Sequence, residues 1–320
     1  MRIAIRSGLS VGLSLLAGST LAAQNPECGV FLGSPANVCN AAIDGIRTFH
    51  PMAGLLTSGG NPEIGAVRTL GGLGRFSITT RVNAVKVQLP DLSYDGSTPT
   101  VAAGDELFAP SPIIEAAVGI WPGLAGGLLS VDVLGSAQLL PVEVVDGLGV
   151  DPSARSVGGL ALGLGYGLRV GILNGDLPIP GIAVSVMRRD IPEVRYGDIA
   201  GGDTYSFAAN LKATNVRAIA GWELSRVLLG VGLGLDRYTG AAGIVFDDPS
   251  LPVPRQEISV ELSNTRYLGF VNAGLDFSIV NLGAELGYQL GKDQNVTTDF
   301  ENIDTTGGKV FAGFGIRLGL

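Results

Sequence analysis

Beyond its N-terminus the chain has no run of about 18 uninterrupted apolar residues, so no helical membrane span is expected. Charge is sparse, and basic charge sparser. Of 320 residues 16% are charged, with 21 Lys and Arg against 29 Asp and Glu. That balance argues against nucleic acid as a partner, because a phosphate backbone needs basic patches. There is one histidine, His50. A Ser-His-Asp hydrolase would need it as the base. No Gly-x-Ser-x-Gly elbow accompanies it, so no catalytic residue is assigned and no enzyme is expected. No cofactor and no metal site are expected either. His, Cys and carboxylates do not cluster at ligand spacing, and the Gly-x-Gly runs sit in alternating stretches rather than opening helices. Asp247-Asp248 and Asp91 with Asp95 read as solvated acidic loops. The two cysteines, Cys28 and Cys39, are a close even pair that reads as a local disulfide in an oxidising compartment.

What is present is apolar and alternating. The chain is 46% hydrophobic with 49 glycines, and its mean hydropathy is +0.38. From Leu160 the stretch 156–173 sets Leu160, Leu162, Leu164, Tyr166, Leu168, Val170 and Ile172 on one face. Gly159, Ala161, Gly163, Gly165, Gly167, Arg169 and Gly171 fall on the other. Period two marks an extended strand, and the two faces suit lipid outside and a lumen inside.

Residues 1–23 read as a cleaved secretory signal. Arg2 and Arg6 lead an apolar stretch, Gly8 to Leu21, closed by Ala22-Ala23. Loss of those two arginines takes the formal charge from -8 to about -10. Residues 24–72 read as an irregular, partly helical hatch or plug. Ser34-Pro35 starts a helix running through Asn40–Ile43 toward Gly45. Asn61-Pro62-Glu63 signals a second short one, through Val67 to Leu70. The competing reading of this segment is an extra hairpin.

Residues 73–320 read as a meander of alternating strands. Long polar connections at 90–110, 138–155, 191–203, 247–256 and 292–306 alternate with short ones near 123–126, 174–178, 223–226 and 278–280. The expectation is an all-β fold, an antiparallel up-and-down transmembrane β-barrel of about ten strands. The range is eight to fourteen, with twelve the next choice, and a soluble secreted β-sandwich is the alternative fold. Segments 204–222 and 257–277 change hydrophobic phase, near Ala213–Asn215 and near Asn264. The first is read as a bulge or hidden turn.

Charges on a lipid face cost about 2–4 kcal/mol at the midplane for Arg or Lys. The inner parity therefore takes Arg81, Glu115, Asp132, Arg169, Arg189, Arg217, Asp236, Arg266, Asp276, Glu285 and Arg317. These either staple the lumen by ion pairs or line a polar channel. A ten-strand lumen is narrow, which favours staples. Two glycine-rich inner faces, Gly163-Gly165-Gly167 and Gly230-Gly232-Gly234, leave room for the N-terminal segment, which is expected to lie against them.

Gly315-Ile316-Arg317-Leu318-Gly319-Leu320 resembles the C-terminal assembly signal of bacterial outer-membrane proteins, with Leu320 in place of the usual aromatic. The resemblance implies a Gram-negative outer-membrane location, with outer-membrane lipid and the barrel-assembly machinery as partners. Asn61-Pro62, after Gly59-Gly60, resembles the Asn-Pro-Ala hatch region of FadL-like transporters of hydrophobic compounds, with Glu63 replacing the Ala. That resemblance implies passive uptake of apolar molecules with the N-terminal segment as gate, and it carries over no binding residues. The function expected is a passive channel or transporter for small molecules, hydrophobic ones included. The alternative is a structural or surface-interaction barrel that transports nothing.

Overall fold

The computed structural model describes residues 25–124, 127–141, 143–145, 148–150, 156–157, 160–175, 178–248 and 250–319. The expected signal segment, Leu320 and the loop residues Asp146, Gly147, Asp151 and Pro152 lie outside them. Ten long strands carry the fold: β1 (Phe76–Pro90), β2 (Ala103–Trp121), β3 (Ser130–Pro141), β4 (Leu160–Leu173), β5 (Gly181–Tyr196), β6 (Tyr205–Leu224), β7 (Val227–Asp247), β8 (Arg255–Phe277), β9 (Val280–Gln289) and β10 (Lys309–Gly319). Each is antiparallel to its neighbours in sequence. The ring closes where β1 pairs with β10, from Ser77 opposite Gly319 to Val85 opposite Phe311. A closed sheet has no edge left to aggregate, and one ring rather than two packed sheets excludes the sandwich. Both ends of the sheet lie at the short-turn end, as an even strand number requires. β2 begins at Ala103, inside the stretch whose polarity reads as a loop.

The wall changes polarity along its height. Near the short-turn end, outward residues such as Val186, Trp222, Leu229, Leu233, Val271 and Phe314 are exposed apolar side chains. On β7 the run from Val227 to Leu235 is close to the 9–11 residues a tilted membrane strand needs. Higher up, apolar residues turn inward: Val87 and Leu89 on β1, Phe207 on β6, Ile244 and Phe246 on β7, and Val260 and Leu262 on β8 are all buried.

This inversion corrects the two expected phase changes. β6 alternates burial without a slip from Tyr205 to Gly221, and β8 does the same through Asn264 and on to Gly274. The faces do not swap; the apolar residues move from the inner face to the outer one, because the apolar surroundings do. β6 has one register shift against β5, between Ala209 and Leu211, not at 213–215.

The apolar inner faces of the upper wall are covered by a single helix, α1 (Ser34–Ser58), of 25 residues. It runs on past Gly45 and through Pro51. Burial outweighs the hydrogen bond that Pro51 removes. Its residues Val38, Ile43, Ile46, Phe49 and Met52 share one buried cluster with Val87, Leu89, Phe207, Ile244 and Phe246. Gly54 lets the helix touch the wall, since a Cβ there would lie 2.5 Å from the Tyr238 ring. Before α1, a 3-10 turn (Pro26–Cys28) is joined to it by the Cys28–Cys39 disulfide. Buried Asp44 ties the helix to the 290–308 loop, accepting from the Thr297 and Thr298 backbone N–H groups at 2.8 Å each. After Ser58 the chain descends through the belt without regular structure. Asn61-Pro62 starts no helix, and no extra hairpin forms from 25–72.

Candidate functional site

The C-terminus of a helix leaves carbonyls without partners and carries partial negative charge. Here the wall supplies both donors and positive charge. Arg217 donates through Nε to the Gly60 carbonyl at 2.8 Å and through Nη2 to the Ser58 carbonyl at 3.0 Å. Arg81 donates to the carbonyls of Asn61 at 2.6 Å and Gly59 at 2.9 Å. Asn83 reaches the Leu56 carbonyl at 3.2 Å. The guanidiniums are balanced by buried carboxylates. Asp236 accepts from Arg217 at 2.6 Å, from Asn215 at 2.7 Å and from the Tyr238 hydroxyl at 2.7 Å. Glu115 lies 3.1 Å from Arg189 and 3.5 Å from Arg81, and Glu285 lies 3.6 Å from Arg81. Glu285 also accepts the Asn61 backbone N–H at 2.8 Å.

A second knot lies nearer the short-turn end. Arg169 bridges Glu63 of the descending segment to Asp132 of β3, the latter at 2.6 Å. Asp132 accepts the Leu70 backbone N–H at 3.0 Å, and Asn272 accepts that of Gly65 at 2.9 Å. Arg68 pairs with Glu223 at the mouth. The segment from Ser58 to Leu70 is thus held in the belt by polar bonds to its backbone and by the ion pairs of Glu63 and Arg68.

Of the eleven charges on the inner parity, the structure brings Arg81, Glu115, Asp132, Arg169, Arg189, Arg217, Asp236 and Glu285 into these two knots. Arg266 is buried apart from them, with Nη1 3.4 Å from the Leu290 carbonyl. Asp276 caps the short β8–β9 turn by accepting the Ser278 N–H at 2.8 Å. Arg317 is half-buried at the short-turn end. Sequence reasoning missed Glu63, Asn83, Asn215 and Asn272, whose neutral or loop positions give no charge signal.

The glycine expectation needs correction. Of the six named positions, Gly230 alone meets the N-terminal segment, at Val67. Gly234 is overlain by Arg217, Gly165 by Ser136 and Arg189, Gly167 by Met187, Gly232 by Phe270, and Gly163 by Ile191 and Gln138. Long inward side chains lean sideways over the glycine of a neighbouring strand. The track of the descending segment is marked by other glycines. A Cβ would lie 2.6 Å from Val67 at Gly221, 3.0 Å from Gly65 at Gly274 and Gly283, 2.9 Å from Ile64 at Gly315, and 2.9 Å from Thr69 at Gly171.

Above the belt, α1 does not fill the lumen fully. A cavity of about 140 Å³ remains between it and the wall, lined by Phe49, His50, Leu56, Val87, Ile191 and Leu211 among others, none of them charged. His50 is 3% exposed. Burial brings its imidazole down to about 4, against a smaller upward pull from its hydrogen bond to the Asn210 backbone. Asn210 sits at the register shift of β6, where a bulge frees a carbonyl from the ladder. The folded value lies below the ordinary 6.5, so between the two the unfolded chain binds the extra proton. Stability is expected to fall by about 3 kcal/mol as pH drops from 6.5 to 4. Unfolding midpoints across that range check this. A His50→Phe chain should lose the dependence.

No protein-family model matches the chain, and no curated protein does. Solved barrels resemble it in form. The outer membrane protease OmpT from Escherichia coli is 12% identical, over 81% of this chain and 100% of that one, with a TM-score of 0.39. The translocator domain of the autotransporter NalP from Neisseria meningitidis is 12% identical, over 88% and 96%, with a TM-score of 0.35. The N-terminal β-barrel domain of Pseudomonas aeruginosa OprF is 10% identical, over 78% and 99%, with a TM-score of 0.29. At these values the likeness is one of barrel form, and no activity passes from them to this chain.

Proposed function

We propose that the protein is an outer-membrane barrel through which a small molecule passes passively when the segment 59–72 moves aside. The carrying observation is the row of glycines at Gly171, Gly221, Gly230, Gly274, Gly283 and Gly315 along that segment's path. A narrow barrel that serves as a scaffold can fill its lumen with wall side chains. Here the wall is stripped to backbone along one track, and a separate stretch of chain occupies it. The segment is held by wall side chains bonded to its backbone, at about 0.5–1.5 kcal/mol each and about 1.5–3 where the partner is charged, and by the ion pairs of Glu63 with Arg169 and of Arg68 with Glu223.

The exposed apolar belt supports placement in a lipid bilayer, and the secretory signal read in residues 1–23 together with the outer-membrane-like C-terminal sequence favours the outer one. No step of catalysis is asked of any residue. Single-channel recording in planar bilayers tests the proposal. The full chain should be silent in buffer, conduct in a few molar urea, and fall silent again when urea is washed out. Silence at every urea concentration that leaves the barrel folded would favour the scaffold reading instead.

A further inference from the structure

Among the described residues, Arg266 is the one buried arginine of the wall with no carboxylate against it. Arg81, Arg169, Arg189 and Arg217 each have one within 3.5 Å. Arg266 is just as deeply placed, at 5% exposure. Its cross-strand neighbour Asp236 accepts from Arg217, Asn215 and Tyr238 and forms no ion pair with it. Nε of Arg266 has no partner, and its one hydrogen bond, from Nη1 to the Leu290 carbonyl, is long at 3.4 Å. A guanidinium does not shed its proton, and a buried cation without a counter-charge is strongly disfavoured. We propose that a bound halide supplies that charge. It would sit in a small pocket beside Arg266 and Lys309, where β8, β10, α1 and the 290–308 loop meet.

Three observations select that class. The pocket's charges do not balance. Arg266, Lys309 and Asp304 all line it, together with Thr48, Gln289 and Gln294, so two cations face one carboxylate. That carboxylate is turned into its own loop, where it accepts from the Thr306 N–H at 3.0 Å and the Gly307 N–H at 2.7 Å. It forms no ion pair with either cation, and Lys309 donates instead to the Asp304 backbone carbonyl at 3.3 Å. Next, the neutral lining offers a donor. Gln294 accepts from Asn264 through its side-chain oxygen, which leaves its amide N–H groups to donate. Last, the free volume is about 10 Å³, about one water-sized sphere. A single atom fits there, and a phosphate, a sulfate or a carboxylate does not. A water molecule fits too, but it carries no charge and leaves the imbalance in place. The ion would join the wall, through Arg266 and Lys309, to the loop, through Gln294, beside Thr48 of the helix.

The site stands apart from the passage reading, and its test needs no conductance. Chloride NMR of the full chain in uncharged micelles reads binding as an excess linewidth over free chloride. That excess should saturate with chloride, and bromide should displace it. Gluconate, too large for the pocket, should not. Arg266→Gln should abolish the excess. Lys309→Gln changes a half-buried side chain and should weaken chloride about tenfold or more, which keeps the test sharp should the first variant misfold. Arg255→Gln is the control for loose association with surface cations. Its arginine is exposed and paired with Asp247, and the excess should not change. No saturable excess in the full chain would overturn the site. Displacement by gluconate as readily as by bromide would do so too, as would an affinity unchanged in a folded Lys309→Gln.

Discussion

Replacing Asp236 by alanine is expected to destabilise the protein by about 3–5 kcal/mol, the usual cost of removing one partner from a buried ion pair. Asp236 is fully buried and is the carboxylate that accepts from Arg217, while also accepting from Asn215 and Tyr238. Arg217 would keep its charge with carbonyls as its only direct acceptors. Asp236→Asn retains an oxygen for the Tyr238 hydroxyl and should lose less. The contrast is Lys86 with Glu106, 2.7 Å apart but with both side chains about half exposed. Glu106→Ala there should cost under about 1 kcal/mol. Guanidinium unfolding in micelles measures both. Equal losses at the two sites would mean that the inner knot is hydrated rather than dry.

Placing leucine at Gly283 is expected to drive the descending segment off the wall. The new Cβ would lie 3.0 Å from the Gly65 nitrogen and 3.1 Å from Cγ1 of Ile64, and β9 is held on both sides by the ladder. Gly65 would then lose its bond to Asn272. Overpacking of this kind costs about 1–3 kcal/mol. Cleavage of a transiently opened segment follows its open population, so protease nicking within 59–72 should speed up about tenfold or more. Gly165→Trp is the control. Its Cβ meets Ser136 and Arg189 rather than the segment, and nicking should change little.

The difference between the expected and the observed glycine track marks what a sequence can carry. Alternation at 156–173 and 227–235 reveals which residues face inward, because parity is local. It does not reveal where an arginine's long side chain comes to rest, so Gly165 and Gly234 look open when Arg189 and Arg217 lie over them. The same locality explains β6 and β8. Apolar residues swapping faces look like a slipped strand unless the helix inside the upper barrel is known, and that helix packs from 150 residues or more away in sequence. Strand number, closure and the polar parity of Arg81, Glu115 and Arg217 were legible, since each follows from period two and the alternation of loops. The length of α1 was not, because Gly45, Pro51 and Gly54 are helix breakers by propensity and are tolerated through burial against Pro90 and Tyr238. His50 gave a sequence reader one residue with no partner in view. The cavity it helps to line draws on five of the long strands, the short strand Leu148–Val150 and the helix.

The central claim is that 59–72 is a movable closure. The most direct test ties it down. At Gly315 a Cβ would lie 2.9 Å from Cγ2 of Ile64, within the reach of a disulfide. The chain carrying Ile64→Cys and Gly315→Cys is recorded in a planar bilayer with urea, oxidised and then reduced, beside the unaltered chain under both conditions. The account predicts that the oxidised tether stays shut where the unaltered chain opens, and that reduction restores opening. An oxidised, tethered chain that opens as freely as the unaltered one would contradict it.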